Sequence, residues 1–424
     1  MDINYSLIMD REIKKLDESG KVPTLLLHSC CAPCSTSVLE TLCNHFKVTV
    51  FYYNPNIYPG EEFYKRCKEQ EKFCENFDSV YKPEFICTGY DEDDFKKCVR
   101  GYENEPEKGR RCLECYRLRL EKTAKYASEH GFEFFTTTLS VSPMKSAYVL
   151  NTIGGELCEK YNVKYLFSDF KKKDGYKRSC ELSDMYGIYR QEYCGCIYSM
   201  AERYLSKAKA LIFDVDGTLL DTMWFYEDFA SEVAKAYGIE PDGEMREAVR
   251  GLTVKEACAA MKSKYGISES VEEILNRADS IIEPLYAERA GMKDGVREFL
   301  DFCVQKGYRM CIATATKKDF IAKALKRLGI YDMFEFILTC PEVGASKYES
   351  LVYDKSCERL GVKKEDVIIF EDALFAMKTA KNAGYFVIGV HENTEKNKTE
   401  EIKKICDIYV RTMDELIHRE KLEY

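Results

Sequence analysis

Seven cysteines in the first half of this 424-residue chain stand at spacings suited to gathering metal: Cys30-Cys31-Ala-Pro-Cys34, Cys112-Leu-Glu-Cys115 and Cys194-Gly-Cys196. The apolar run Thr24–His28 leads directly into the first group. That places it at the carboxyl edge of a parallel sheet and at the start of a helix, where ligands bind and the partial positive charge favours thiolates. Cys112 and Cys115 fall one helical turn apart on one face. Gly195 lets the backbone bend between its two flanking thiols. Seven sulfurs exceed the four that a tetrahedral zinc or one iron–sulfur cluster takes, so the surplus points to a second metal centre or a redox pair. A structural zinc site with spare cysteines is the alternative. The singles Cys43, Cys67, Cys74, Cys87, Cys98, Cys158 and Cys180 lack partners at ligand spacing and are expected to be buried structural residues.

A different chemistry is written in the second half. Phe213-Asp214-Val215-Asp216-Gly217-Thr218-Leu219 follows an apolar strand, and Thr314, Lys347 and the pair Glu371-Asp372 come later at strand ends or before a helix. Two carboxylates two residues apart on a strand-end loop can converge on one metal while the first stays free to attack a phosphorus atom.

Both constellations need strand ends to hold them, and both halves alternate short apolar strands with amphipathic helices. Strands are predicted at Thr24–His28, Val48–Tyr53, Glu84–Cys87, Phe132–Thr136 and Lys164–Phe167. In the second half they fall at Ala210–Asp214, Tyr308–Thr314, Phe336–Leu338, Val367–Phe370 and Phe386–Val390. Thr222–Ala290 shows no strand pattern and reads as a helical insertion. The expected architecture is α/β: two Rossmann-like parallel-sheet domains, 1–207 and 208–424. The second has a core of 208–220 and 291–424 and a small helical cap at about 221–290.

Composition supports this division. Of the 20 cysteines, 14 precede residue 208, while charge is balanced in the first half and acidic in the second, 32 basic against 40 acidic residues. An acidic half is a poor nucleic-acid binder and suits a small-molecule enzyme. No apolar run approaches the ~20 residues of a membrane span. No apolar secretory segment follows the first basic residues, so a cytoplasmic location is expected, in which cysteines serve as metal or redox groups rather than disulfides.

The run Leu27-His28-Ser29-Cys30-Cys31-Ala32-Pro33-Cys34, then Tyr53-Asn54-Pro55-Asn56-Ile57 and Cys112-Leu113-Glu114-Cys115-Tyr116, resembles the cobalamin-independent epoxyqueuosine reductases, the QueH family. Thr137-Thr138-Leu139, Ser142-Pro143, Asp169-Phe170-Lys171-Lys172 and Tyr189-Arg190-Gln191-Glu192-Tyr193-Cys194-Gly195-Cys196 continue the similarity in order over about residues 20–200. The resemblance implies a [4Fe–4S] cluster beside a separately coordinated mononuclear iron. It also implies reduction of epoxyqueuosine to queuosine in tRNA, with electrons from an external donor such as ferredoxin or flavodoxin. Removing an epoxide oxygen as water takes two electrons and two protons, so the site wants an electron relay, a Lewis acid and a proton source. Asp169 is the candidate hard ligand for the second iron. A helix cap or a salt bridge to Lys171 or Lys172 is the structural alternative. Arg110, Arg111, Arg117, Arg119, Lys171–Lys173, Lys177 and Arg178, with tyrosines interleaved, are candidates for tRNA phosphate contacts, with an ordinary solvated face as the commoner alternative for each.

The order Asp214-x-Asp216-Gly-Thr, Thr314, Lys347, Glu371-Asp372 resembles the haloacid dehalogenase superfamily over about Ala210–Val390. The insertion is similar to the helical cap of its phosphoglycolate phosphatase and phosphoglucomutase members. The resemblance makes Asp214 the nucleophile that forms an aspartyl-phosphate and Asp216 the general acid/base. Thr314 and Lys347 become the phosphoryl ligands, with Mg²⁺ between Asp214, the Asp216 backbone, Glu371 and Asp372, and a small phosphorylated molecule as substrate. Lys347-Tyr-Glu-Ser lacks the proline that often follows the family lysine, which makes Lys347 the least typical element. Arg250 in the cap is read as facing solvent, with contact to a substrate phosphate as the alternative. The competing reading of the whole chain is a zinc-stabilised nucleotide-binding module fused to a phosphomutase or to an inert interaction domain of the same fold.

Overall fold

A computed structural model describes residues 3–240, 244 and 254–418. The chain divides after Arg203 into two compact units. Arg250 lies outside the described residues.

The first unit is built on β1 (Thr24–His28), β2 (Lys47–Tyr52), β3 (Glu84–Cys87), β4 (Phe134–Thr137) and β5 (Lys164–Tyr165), all parallel in the order β3-β2-β1-β4-β5. Strand β1 is central, and its leucines divide by the two-residue period of a strand. Leu25 and Leu27 enter the apolar cluster with Val38 and Phe73, while Leu26 enters the opposite one with Leu120 and Leu150. Helices α1 (Tyr5–Ser19), α2 (Ala32–Leu42), α3 (Gly60–Asn76), α4 (Asp93–Val99), α5 (Arg110–Glu129), α6 (Ala147–Tyr161), α7 (Gly175–Met185) and α8 (Ile197–Lys207) complete this part of the chain. The division between units falls inside α8. Strand β5 is shorter than predicted. Asn151 engages both backbone groups of Ser168 at 2.9 and 2.8 Å and turns the chain off the ladder before Phe167. Helix α1 was not predicted, although Asn4 caps it through Leu7 N–H at 3.2 Å and Gly20 closes it in the left-handed region.

The second unit has strands β6 (Ala210–Phe213), β9 (Arg309–Thr314), β10 (Ile337–Thr339), β11 (Val367–Glu371), β12 (Phe386–Val390) and β13 (Ile408–Val410), parallel in the order β10-β9-β6-β11-β12-β13. Edge strand β13 was not predicted, being only three residues long. The insertion contains helices Met223–Ala236, Val254–Tyr265 and Val271–Pro284. Its two ends are joined by a small antiparallel ladder, β7 (Leu220–Asp221) with β8 (Gly291–Met292). Both sheets being parallel, the carboxyl ends of their strands form one edge in each unit, where loops can converge.

Candidate metal centre and phosphoryl site

In the first unit, the carboxyl edge collects thiols and buried cations. Cys30, Cys31 and Cys34 put their sulfurs within 4.8 Å of one another at the start of α2, and the Cys30 and Cys31 sulfurs are 3.7 Å apart. Gln191 Nε2 donates to Cys31 at 3.0 Å, and Thr138 Oγ1 lies 3.8 Å from the Cys30 sulfur. Hydrogen bonding from Cys31, then from Cys34, holds the Cys30 thiol well below its usual range, while Cys31 is pushed up to about 12 by its bond to Cys30.

The other four thiols are neighbours as well. Burial raises Cys112 to about 11 and raises Cys115 further, and in both cases Cys194 and Cys196 add to the effect. Gly195, with φ +145°, sits where an added Cβ would meet Asn56 Nδ2 at 2.9 Å, so only glycine fits between those two sulfurs.

Arg119 links the two sulfur groups. It is 1% exposed, its Nε donates to the Cys115 carbonyl at 3.1 Å, and although burial opposes its charge, Cys115, Cys194 and Cys30 together hold it firmly protonated. Lys145 is in the same position: Cys194, Cys30, Tyr116 and Cys34 outweigh its desolvation. Arg66 donates to Glu62 at 2.7 Å and to the Cys194 carbonyl at 3.3 Å. His28 contributes no charge, because burial, with Arg119 adding, lowers it to about 3; its ring nitrogens engage Thr137 at 2.9 Å and the Tyr53 carbonyl at 3.2 Å.

This donor set fits an anionic iron–sulfur group. Nη2 of Arg66, Arg111 and Arg119 is buried without a partner. Each guanidinium has other partners, but an orphaned buried N–H is costly, and a bound anionic group would satisfy it. Asp169 is 8% exposed and bonded to Lys171 at 2.7 Å, outside the Cys30–Cys31–Cys34 group.

Two candidates for tRNA contact are corrected by their burial, and three others stand in surface ion pairs. Arg119 and Arg111 are buried, Arg111 donating to the Glu103 carbonyl at 2.6 Å and to that of Glu105. Arg117 pairs with Glu156 at 2.8 Å, Lys173 with Asp10 at 2.7 Å and Arg178 with Glu40 at 2.6 Å. Arg110, Lys172 and Lys177 are exposed. The isolated cysteines also depart from expectation: Cys43 and Cys74 are buried, Cys67, Cys98, Cys158 and Cys180 are partly buried, and Cys87 is exposed.

In the second unit, Asp214, Glu371 and Asp372 bring carboxylate oxygens within 4.8 Å of one another at the ends of β6 and β11. Lys347 Nζ bonds Asp214 and, at 2.6 Å, Glu371, so the lysine lies in the site despite its atypical flank. Burial works against its charge, but the two carboxylates keep it protonated. Desolvation raises Asp214 to about 6, with Lys347 opposing, and raises Asp372 well above the carboxylate range. Glu371 Oε2 is buried without a partner. Three crowded buried carboxyls with one lysine and an orphan oxygen fit a hard divalent cation. Gly217 adopts φ +81°, and a Cβ there would meet Asp372 Oδ2 at 2.3 Å.

Asp216 stands apart from that triad and is held by hydroxyls. Thr222 and Tyr286 donate to Oδ1 and Thr316 to Oδ2, each at 2.6 Å. Thr314, buried at the end of β9, accepts from Thr316 N–H at 3.1 Å. Sequence reasoning did not single out Thr222, Thr316, Tyr226 or Tyr286, nor Arg66 and Lys145 in the first unit. Tyrosine and threonine in helical or loop segments carry no local signal, whereas the motif neighbours Thr138 and Gln191 were within reach of the resemblance.

Residues 25–202 match the profile of "Epoxyqueuosine reductase QueH" and residues 211–390 that of "Haloacid dehalogenase-like hydrolase". The chain is 42% identical over 201 residues to the epoxyqueuosine reductase QueH of Staphylococcus epidermidis, an alignment covering 46% of this chain and 84% of that protein. The chain belongs to the QueH family. The QueH protein of Thermotoga maritima is 38% identical over 185 residues, covering 42% of this chain and 92% of its own length. Among solved structures, the second half is similar to CbbY from Rhodobacter sphaeroides in complex with phosphate (TM-score 0.45, 22% identity, 49% of this chain and 96% of that one). It is also similar to a beta-phosphoglucomutase from Clostridium difficile (TM-score 0.40, 23% identity, 50% and 97%). The chain thus carries a QueH epoxyqueuosine reductase domain followed by a haloacid dehalogenase-like hydrolase domain. Among the described residues no helix is long and apolar enough to cross a membrane.

Proposed function

We propose that the chain is a bifunctional enzyme, reducing epoxyqueuosine in tRNA to queuosine with its first domain and hydrolysing a small phosphate monoester with its second. The observation that carries the first half is the gathering of seven thiols around buried Arg66 and Arg119 and partly exposed Lys145 at one sheet edge. Three sulfurs within 4.8 Å have the spacing of ligands on a single ion. On this reading the seven thiols divide between a [4Fe–4S] cluster and an adjacent mononuclear iron, with Asp169 the candidate hard ligand once it leaves Lys171. Bound there, the metals supply single-electron relay and a Lewis acid for the epoxide oxygen. Arg119 and Arg66 balance the thiolate charge. Lys145, partly exposed, offers an ammonium proton beside Cys30 and Tyr116. Neutral His28 positions Thr137 and the Tyr53 carbonyl and donates no catalytic proton. Exposed Arg110, Lys172 and Lys177 remain for tRNA phosphates, with Tyr64, Tyr148 and Tyr176 exposed for stacking. Electrons come from an external ferredoxin or flavodoxin.

In the second domain Asp214, Glu371 and Asp372 would hold Mg²⁺, which neutralises charge between a carboxylate and a phosphate. Asp214 attacks phosphorus and forms an aspartyl-phosphate. Asp216, held by three hydroxyls, first protonates the leaving oxygen and then takes a proton from the attacking water. Thr314 and Lys347 hold the phosphoryl oxygens. Nucleoside mass spectrometry of tRNA from a strain lacking its own epoxyqueuosine reductase and expressing this chain tests the first activity. Magnesium-dependent phosphate release from a panel of sugar phosphates tests the second. Persistent epoxyqueuosine in the presence of a protein with full iron content, or zinc in place of iron after anaerobic reconstitution, would overturn the reductase reading.

A further inference from the structure

Two cysteines outside the seven-thiol site face each other across α3 and β3. Cys67 lies on α3 and packs, with Phe85 and Tyr90, against the small apolar cluster of Tyr52, Ile57 and Phe63. Cys87 ends the edge strand β3, paired in register with Tyr52. Residues two apart in a strand share a face, so Cys87 lies on the same side of the sheet as Phe85, the side covered by α3. The packing of Cys67 on Phe85 and the shared face of Phe85 and Cys87 bring the two thiols together, and each is the largest influence on the other. Cys67 is half-buried and Cys87 exposed, which is the arrangement of a resolving and an attacking thiol.

We propose that Cys67 and Cys87 form a redox-active dithiol that a peroxide closes reversibly to a disulfide. The Cys87 thiolate attacks one peroxide oxygen: an S–O bond forms, the O–O bond breaks, and the departing hydroxide leaves as water after protonation. Cys67 then attacks the Cys87 sulfur; an S–S bond forms, the S–O bond breaks, and a second water leaves with the Cys67 proton. The two sulfurs together lose two electrons and the peroxide gains them. Hydrogen bonding from Cys67, against the opposing effect of burial, brings Cys87 down to about 6, which with its exposure favours Cys87 over Cys67 as the attacking thiol. Helix α3 also carries Arg66, the neighbour of Cys67, whose guanidinium holds the Cys194 carbonyl. The dithiol is thus one residue along the chain from a contact to the thiolate site, and peroxide consumed at the surface spares those sulfurs.

Cleavage after glutamate releases Phe63–Glu69 and Phe85–Glu92, each with a single cysteine, which makes the linkage readable by mass spectrometry. The anaerobically reconstituted full chain, treated with one equivalent of hydrogen peroxide and then alkylated, should yield these two peptides joined and lighter by two hydrogens, and dithiothreitol should separate them. In Cys67→Ser, Cys87 should be trapped by dimedone as its sulfenic acid. In Cys87→Ser, Cys67 should stay unmodified. Before oxidation, Cys87 should alkylate at pH 7 at least about tenfold faster than Cys180. Full alkylation of both peptides after ten equivalents of peroxide would overturn the proposal, as would an undiminished sulfenic acid at Cys67 in the Cys87→Ser variant.

Discussion

The Tyr286 hydroxyl donates to Asp216 at 2.6 Å and shares a second hydrogen bond, at 2.8 Å, with the hydroxyl of Tyr226. Tyr286 belongs to the segment Leu285–Arg289 that returns the chain from the helical insertion to the core, so the proposed acid/base is gripped from the cap side as well as by Thr316 of the core. Replacing Tyr286 by Phe removes one of three donors, a loss of about 1–2 kcal/mol of orientation. The expected result is a fall in kcat of roughly five- to thirtyfold with KM nearly unchanged, measured on whichever phosphate ester the enzyme turns over.

Lys347→Met should act on stability as well as rate. The substitution leaves Asp214 and Glu371 buried without their cation, and breaking such a pair costs about 3–5 kcal/mol. A magnesium ion restores the missing positive charge. Thermal unfolding followed by calorimetry should therefore show a lower Tm for the second unit, and added Mg²⁺ should raise that Tm more in the variant than in the parent.

Proton and metal compete for Asp214. Burial raises its carboxyl to about 6 in the metal-free protein. Above that pH it is ionised and binds a cation; below it the proton must be displaced first. The apparent Mg²⁺ affinity, from activity titrations between pH 5 and pH 8, should fall as the pH drops through about 6, and saturating Mg²⁺ should move the acid limb of the rate profile to lower pH. An affinity independent of pH would contradict a carboxylate ligand with this raised pKa.

Arg119→Met removes the guanidinium that faces Cys115, Cys194 and Cys30. Without it the thiolates lose a buried counter-charge, so iron content after anaerobic reconstitution should fall by about half or more, and the brown absorbance should bleach faster in air. Arg119→Lys, which keeps the charge but not the planar fork, should recover part of the iron.

The two chemistries should separate cleanly by mutation. Asp214→Asn abolishes magnesium-dependent phosphate release because the amide forms no aspartyl-phosphate, while queuosine formation continues. Serine at Cys112 or Cys194 lowers iron content and leaves phosphate release within a small factor of the parent. Loss of queuosine in an Asp214→Asn protein with normal iron would show the halves to be one coupled catalyst.

What the sequence made legible follows from how locally each feature is encoded. Leu25-Leu26-Leu27 reads as a central strand because burial on both faces suppresses alternation, and the strand is there. The thiol spacings and the Asp214-x-Asp216 loop are contiguous motifs, so they could be read in full. Arg119 was misread because a basic residue amid tyrosines looks like a solvated face, and only packing reveals that α5 turns it inward against thiols. Tyr286 was invisible for the same reason: its partner lies 70 positions away. Cys67 and Cys87 are 20 residues apart with no motif between them, and only the packing of α3 on β3 brings them together.

The ladder formed by Leu220 with Met292 and Asp221 with Gly291 fixes the mechanics of the cap. A cap carried on two independent straps could twist, slide or tilt. Backbone pairing ties the outgoing and incoming strands into one ribbon, which bends across its width far more readily than it shears along its length.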